Sequence, residues 1–154
     1  MPGSTDFPLS DEELTFLREL TRAGAKFLIV GLGAAVLQGA DAVTQDLDLW
    51  FRSVADPSIA QAARAAGGVF AWRSVPPMIA GDGLERLDIV LQCDGLDNFD
   101  VEYAHAADIP LDDFAVKILP LERIIASKRA AGRPKDKAVL EALKAALAAR
   151  STLD

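Results

Sequence analysis

Phe27-Leu28-Ile29-Val30-Gly31-Leu32-Gly33, followed after a short interval by Thr44-Gln45-Asp46-Leu47-Asp48-Leu49-Trp50-Phe51, is the stretch on which the rest of the chain turns. Phe27 to Val30 is an apolar run of strand type, Gly31-Leu32-Gly33 is a turn, and Ala34 to Gln38 reads as a short helix closed by Gly39. Asp46 and Asp48 then sit inside a second apolar run. Side chains two residues apart on a strand point to one face, so the two carboxylates share a face while Leu47 and Leu49 take the other. A strand that buries one side and displays paired acids on the other suits a divalent cation.

Outward from this stretch, Ser10 and Glu13 have the form of a capping box, and Leu14, Leu17 and Leu20 recur at helical spacing before Gly24. This predicts a first helix packed on the sheet. Downstream, Pro57 opens an alanine-rich helix that Gly67-Gly68 ends, and Val69 to Arg73 reads as a strand. Pro76-Pro77 and Gly81-Asp82-Gly83 read as loops. Arg86 to Gln92 alternates, with Leu87, Ile89 and Leu91 on one face and Arg86, Asp88, Val90 and Gln92 on the other. Asp88 is therefore a third acid on a half-buried strand. If that strand lies beside the Asp46 strand, about 4.8 Å away, three carboxylates converge, and such a cluster calls for cations. Arg86, on the face of Asp88, is placed to pair with an acid or to touch a phosphate.

Asp94 to Asp113 is acidic and rich in turn residues, and reads as loop with a turn of helix around Phe99 to Tyr103. Ala115 to Leu119 reads as a strand. Pro120 starts a helix whose stripe is Leu121, Ile124, Ile125 and Lys128, so Lys128 points the same way as the apolar residues. It either snorkels to the rim or meets anionic partners inside a cleft. After Gly132, Pro134 opens a last helix, to about residue 150, that packs through Val139, Leu140, Leu143 and Leu147.

The 154 residues, 51% of them hydrophobic, are enough for one domain with its own core. No run approaches the length of a membrane span, and Met1 to Leu9 has no leader pattern, so the expectation is a cytoplasmic protein. Cys93 reads as a small buried hydrophobe, and with His105 the only histidine there is no soft-ligand cluster for structural zinc. Phe70, Trp50 and Trp72 read as core or cleft wall. The net charge of −7 argues against broad nucleic-acid affinity. Yet Lys117 to Lys137 holds Lys117, Arg123, Lys128, Arg129, Arg133, Lys135 and Lys137 against Glu122 and Asp136, a balance of +5 that leaves −12 elsewhere. That run reads either as a solvated helix face or as a phosphate-facing wall.

Known templates for other chemistries fit poorly. Gly31-Leu32-Gly33 has Val36 where a dinucleotide fingerprint needs its last glycine or alanine, and no Gly-Lys-Ser/Thr follows for a P-loop. The glycine turn is either an ordinary tight turn or an approach for phosphate at a helix N-terminus. Ser74 and Ser127 lack the histidine and glycines of a nucleophile elbow.

The order of the Phe27 strand, glycine turn, Thr44-Gln45-Asp46-Leu47-Asp48-Leu49, Arg86-Leu87-Asp88 and Ser127-Lys128-Arg129-Ala130-Ala131-Gly132-Arg133-Pro134-Lys135-Asp136 resembles the minimal nucleotidyltransferases of the polymerase-beta-like superfamily. Within it, the likeness is to the small bacterial group that includes nucleotidyltransferases of toxin-antitoxin and abortive-infection systems. The resemblance implies an α/β (α+β) fold with a mixed sheet flanked by helices. It implies magnesium or manganese held by Asp46, Asp48 and Asp88, with Asp88 ligating metal or activating the attacking hydroxyl. Gly31, Leu32, Gly33, Thr44 and Arg133 would contact a nucleoside triphosphate, while Lys128 and Asp136 would match the family's late lysine and acid. The implied reaction moves a nucleoside monophosphate to a hydroxyl of RNA, protein or a small molecule. Leu32 stands where the family has a small residue, Asp41-Ala42-Val43 lack its arginine, and Val139 replaces an acid. A second expectation is therefore a non-catalytic, antitoxin-like or regulatory protein of the same fold that binds a toxin or antitoxin partner.

Overall fold

Ser10 caps the first helix from both directions: its hydroxyl accepts from the Glu13 N–H at 2.9 Å, and its own N–H donates to Glu13 Oε1 at 2.9 Å. This capping box satisfies two N–H groups that a helix start leaves orphaned. The helix, α1, spans Asp11–Arg22 and buries Phe16, Leu17 and Leu20 completely. The computed structural model describes residues 8–153, so most of the N-terminal stretch considered for a leader lies outside the described residues.

Among the described residues thirteen elements follow one another: α1, β1 (Phe27–Val30), α2 (Gly31–Leu37), β2 (Leu47–Phe51), α3 (Pro57–Ala65), β3 (Val69–Ala71), β4 (Met78–Ala80), β5 (Leu87–Val90), α4 (Phe99–Ala104), β6 (Ala107–Leu111), β7 (Phe114–Ile118), α5 (Leu121–Ala131) and α6 (Pro134–Leu153). Five strands form a mixed sheet in the order β5-β2-β1-β7-β6, and β3 and β4 form a separate hairpin. β1 runs antiparallel to β2 and parallel to β7, while β2 and β5 are parallel. The central strand β1 is buried throughout, as its uniformly apolar sequence requires. Helices flank the sheet in two groups, α1 packing on α3 and α5 packing on α2 and α6. The fold is the mixed α/β arrangement that the sequence led us to expect. Among the described residues no helix is long and apolar enough to cross a membrane.

Several local expectations are corrected. The turn after β1 is not separate from the helix: Gly31, at φ +73°, is already the first residue of α2, and Gly33 is buried within it. β4 stands where a loop was expected, and β6 lies within the acidic segment read as mostly loop. β6 is the last strand of its sheet and carries Pro110, which has no N–H to donate and is tolerated at an edge. β5 stops at Val90, leaving Leu91 60% exposed, and β3 stops at Ala71. Trp72 is not core but 64% exposed, with the Arg73 guanidinium 4.8 Å from its ring centre. Trp50 is buried and meets Phe99 edge to face.

Two buried carboxylates tie elements together. Glu13, 1% exposed, receives Arg86 Nη2 at 2.6 Å and Nε at 3.0 Å, which fastens the start of β5 to α1. Glu102, 3% exposed, receives Arg123 in the same two-pronged way at 2.6 and 3.0 Å, fastening α4 to α5. In each case the planar guanidinium matches both carboxylate oxygens, the geometry in which a buried acid is best compensated.

Candidate functional site

The parallel pairing of β2 with β5 sets Asp48 directly opposite Asp88. Because both strands alternate, the two carboxylates leave the same face of the sheet. Asp46 lies just before β2, where its N–H donates to Thr44 Oγ1 at 3.2 Å. Oxygen atoms of Asp46, Asp48 and Asp88 all come within 4.8 Å of one another. The three residues can hold a metal ion. They border a cleft of about 750 Å³ between the sheet and the α5–α6 corner.

The electrostatics of this cluster follow from its crowding. The Asp48 carboxyl is pushed up to about 6, first by burial and then by the charges of Asp88 and Asp46, with Lys128 and Lys135 acting in the opposite direction. Asp88 is raised as well, by burial and then by Asp46. A cation among them would relieve both, and hard carboxylate oxygens suit a hard divalent ion.

Gly31 has a definite task here. Its φ of +73° lies in the left-handed region that glycine adopts without steric cost, and a Cβ on it would collide with Asp48 Oδ2. The glycine makes room for a carboxylate of the protein itself.

Across the cleft, Lys128 and Asp136 form an ion pair at 3.4 Å. Asp136 is almost wholly buried. Its Oδ2 accepts from Arg133 Nε at 2.6 Å and from the Arg133 backbone N–H at 3.2 Å, and its Oδ1 from Arg133 Nη2 at 3.1 Å. These hydrogen bonds hold its carboxyl below the ordinary carboxylate range despite burial.

The structure thus gathers Gly31, Leu32, Thr44, Asp46, Asp48, Asp88, Lys128, Arg133 and Asp136 around one cleft. Gly33 is elsewhere, packed inside α2. Arg86 is also elsewhere. Although it neighbours Asp88 in sequence, its guanidinium turns to Glu13 and to the Pro8 carbonyl, so it belongs to the α1 junction and not to the cleft. The basic run likewise divides. Lys117 pairs with Asp108 and Arg123 with Glu102, Arg129 and Lys137 are exposed and do not line the cleft, and Lys128, Arg133 and Lys135 do. Residues not foreseen for the site are Gln92, Cys93, Asp94, Lys135 and Val139. Lys135 had a signal in the basic run, Gln92 in its place on the strand face of Asp88, and Val139 in standing where the resembled family has an acid. Cys93 is half-buried, and its thiol is pushed up to about 12 by burial and then by Asp48.

A scan of the chain against protein-family models finds no match, and a search among curated proteins finds none.

Proposed function

We propose that the protein is a magnesium-dependent nucleotidyltransferase that moves a nucleoside monophosphate from a nucleoside triphosphate to a hydroxyl acceptor. The observation that carries this is the in-register pairing of Asp48 with Asp88, which converges with Asp46 on one cleft faced by Lys128, Arg133 and Lys135. Acids on one wall and cations on the other match a substrate that brings phosphate oxygens together with metal. The resemblance of the Asp46-Leu47-Asp48 and Lys128-to-Asp136 motifs to the minimal nucleotidyltransferases supports the same reading.

Asp46, Asp48 and Asp88 would hold the ions. Magnesium, when bound, supplies charge neutralisation for both the attacking and the leaving oxygens of an in-line displacement. Lys128, Arg133 and Lys135 bind and orient the phosphates. In the reaction the acceptor oxygen forms a bond to the α-phosphorus, the bond from that phosphorus to the bridging oxygen breaks, and pyrophosphate leaves with that oxygen. Asp88, opposite Asp48 on β5, either completes the ligand set or takes the proton of the attacking hydroxyl.

Thermal melts test this. A ligand that binds only the folded state at 100 times its dissociation constant stabilises it by about 2.7 kcal/mol, which for a chain of this size is about 5–10 °C. Wild type should show that shift with magnesium and ATP, and Asp46→Asn should not. Equal behaviour of the two proteins would refute the assignment and favour the non-catalytic, partner-binding alternative.

A further inference from the structure

We propose that Asp136 is a positioning residue and that the α5–α6 corner is a preassembled polyphosphate clamp. On this view Asp136 works through Lys128 and Arg133, not as a ligand to metal. The inference rests on the function proposed above and specifies how the triphosphate is held.

The geometry assigns the roles. Asp136 is 1% exposed, whereas Lys128 is 19% and Arg133 54% exposed. The acid, although it lines the cleft, is shielded from solvent beneath the two more exposed cations that bond to it. Both carboxylate oxygens are occupied: Oδ2 by Arg133 Nε and the Arg133 backbone N–H, and Oδ1 by Arg133 Nη2 and Lys128 Nζ. A carboxylate so engaged has little capacity left for a metal ion. The three acids on β2 and just before it and on β5 form a separate group whose oxygens lie within 4.8 Å of one another, and Asp136 is not among them.

Local sequence explains why the clamp is rigid. Gly132, at φ +63°, caps the end of α5, and with only Arg133 between them Pro134 begins α6, so the chain turns within two residues. Asp136 falls in the first turn of α6 and accepts the N–H of the residue preceding that helix. An acid at this place also complements the positive end of the helix. The corner that fixes Asp136 thereby fixes Arg133, and the lysine one helix back is drawn to the same anchor. Neither long side chain then has to lose its full rotamer freedom when phosphate arrives.

Calorimetric titration with two probes, magnesium alone and magnesium tripolyphosphate, separates this from the alternatives. Wild type should bind both. Asp136→Asn should bind magnesium as wild type does and tripolyphosphate about tenfold more weakly, the size expected for loss of an oriented charge-assisted contact. Lys128→Met should weaken tripolyphosphate at least as much, and adding Asp136→Asn to it should weaken binding by much less than the product of the single effects, because the acid acts partly through the lysine. A parallel loss of magnesium affinity in Asp136→Asn would make it a metal ligand and overturn the proposal, as would full multiplicative losses in the double variant. If Asp136→Asn does not fold, Arg133→Gln carries the test, since its side chain is half-exposed. Weaker tripolyphosphate with unchanged magnesium supports the clamp, and unchanged tripolyphosphate refutes it. Wild type that binds neither probe would overturn the proposed function itself, a result distinct from one confined to the variants.

Discussion

Removing a charge from the candidate metal centre should make the metal-free protein more stable. Asp48 is raised from the ordinary 3.8 to about 6 by burial and by Asp88 and Asp46. The folded protein thus binds that proton more tightly than the unfolded chain does, and stability falls as pH rises from about 4 to above 6. With each tenfold change in proton affinity equal to about 1.4 kcal/mol, the cost at about pH 7.5 is about 3 kcal/mol. At about pH 4.5 the same linkage leaves about 1 kcal/mol. Asp48→Asn keeps the shape and removes the charge. Melted in the presence of chelator at about pH 7.5, it should exceed wild type by up to about 6–12 °C, and the gap should narrow to about a third at about pH 4.5. Magnesium should raise wild type toward the variant and leave the variant unmoved. A variant no more stable than wild type at neutral pH, or one whose advantage ignores pH, would refute the reasoning.

Arg86→Gln leaves the buried Glu13 carboxylate without its two-pronged partner and should cost about 2–4 kcal/mol in urea unfolding, with magnesium affinity unchanged because the pair lies away from the cleft. Gly31→Ala should lose about 1–2 kcal/mol from left-handed strain and weaken magnesium binding by displacing Asp48, both readable from melts with and without the ion. Below about pH 4 the sign of the pH dependence should reverse. Glu102 and Asp136 sit below their ordinary range, first through hydrogen bonds from Arg123 and Arg133, so their stabilisation is present above the unfolded value and lost as pH falls through the folded one. Cys93, at about 12, should react with a disulfide reagent at about pH 8 on the order of a thousandfold more slowly than an ordinary thiol, and at normal speed in denaturant.

What the sequence disclosed was whatever depends on short-range periodicity. Alternation around Asp46-Leu47-Asp48 and Leu87-Asp88-Ile89 placed acids opposite leucines, and the structure keeps that division. Pairing of the two strands was posed only as a condition, since register belongs to the assembled sheet. Arg86 shows the limit most plainly. Its partner Glu13 is 73 residues away, and no local pattern distinguishes an arginine aimed at a buried acid from one aimed at a phosphate. β6 was missed because Pro110 and the acids around it carry turn signals, which an edge strand can absorb. Asp136 was legible as part of a motif, but its burial depends on α6 folding back on α5.

Pro110 has a bearing on how the molecule behaves in company. The outer margin of β6 offers a neighbour a row of donors with one missing, flanked by the charged pair of Asp108 and Lys117. A second chain laid along it would have to leave a carbonyl unanswered and strip water from those charges. The sheet is thereby discouraged from extending into its neighbours at high concentration, by the same proline that hid the strand from view.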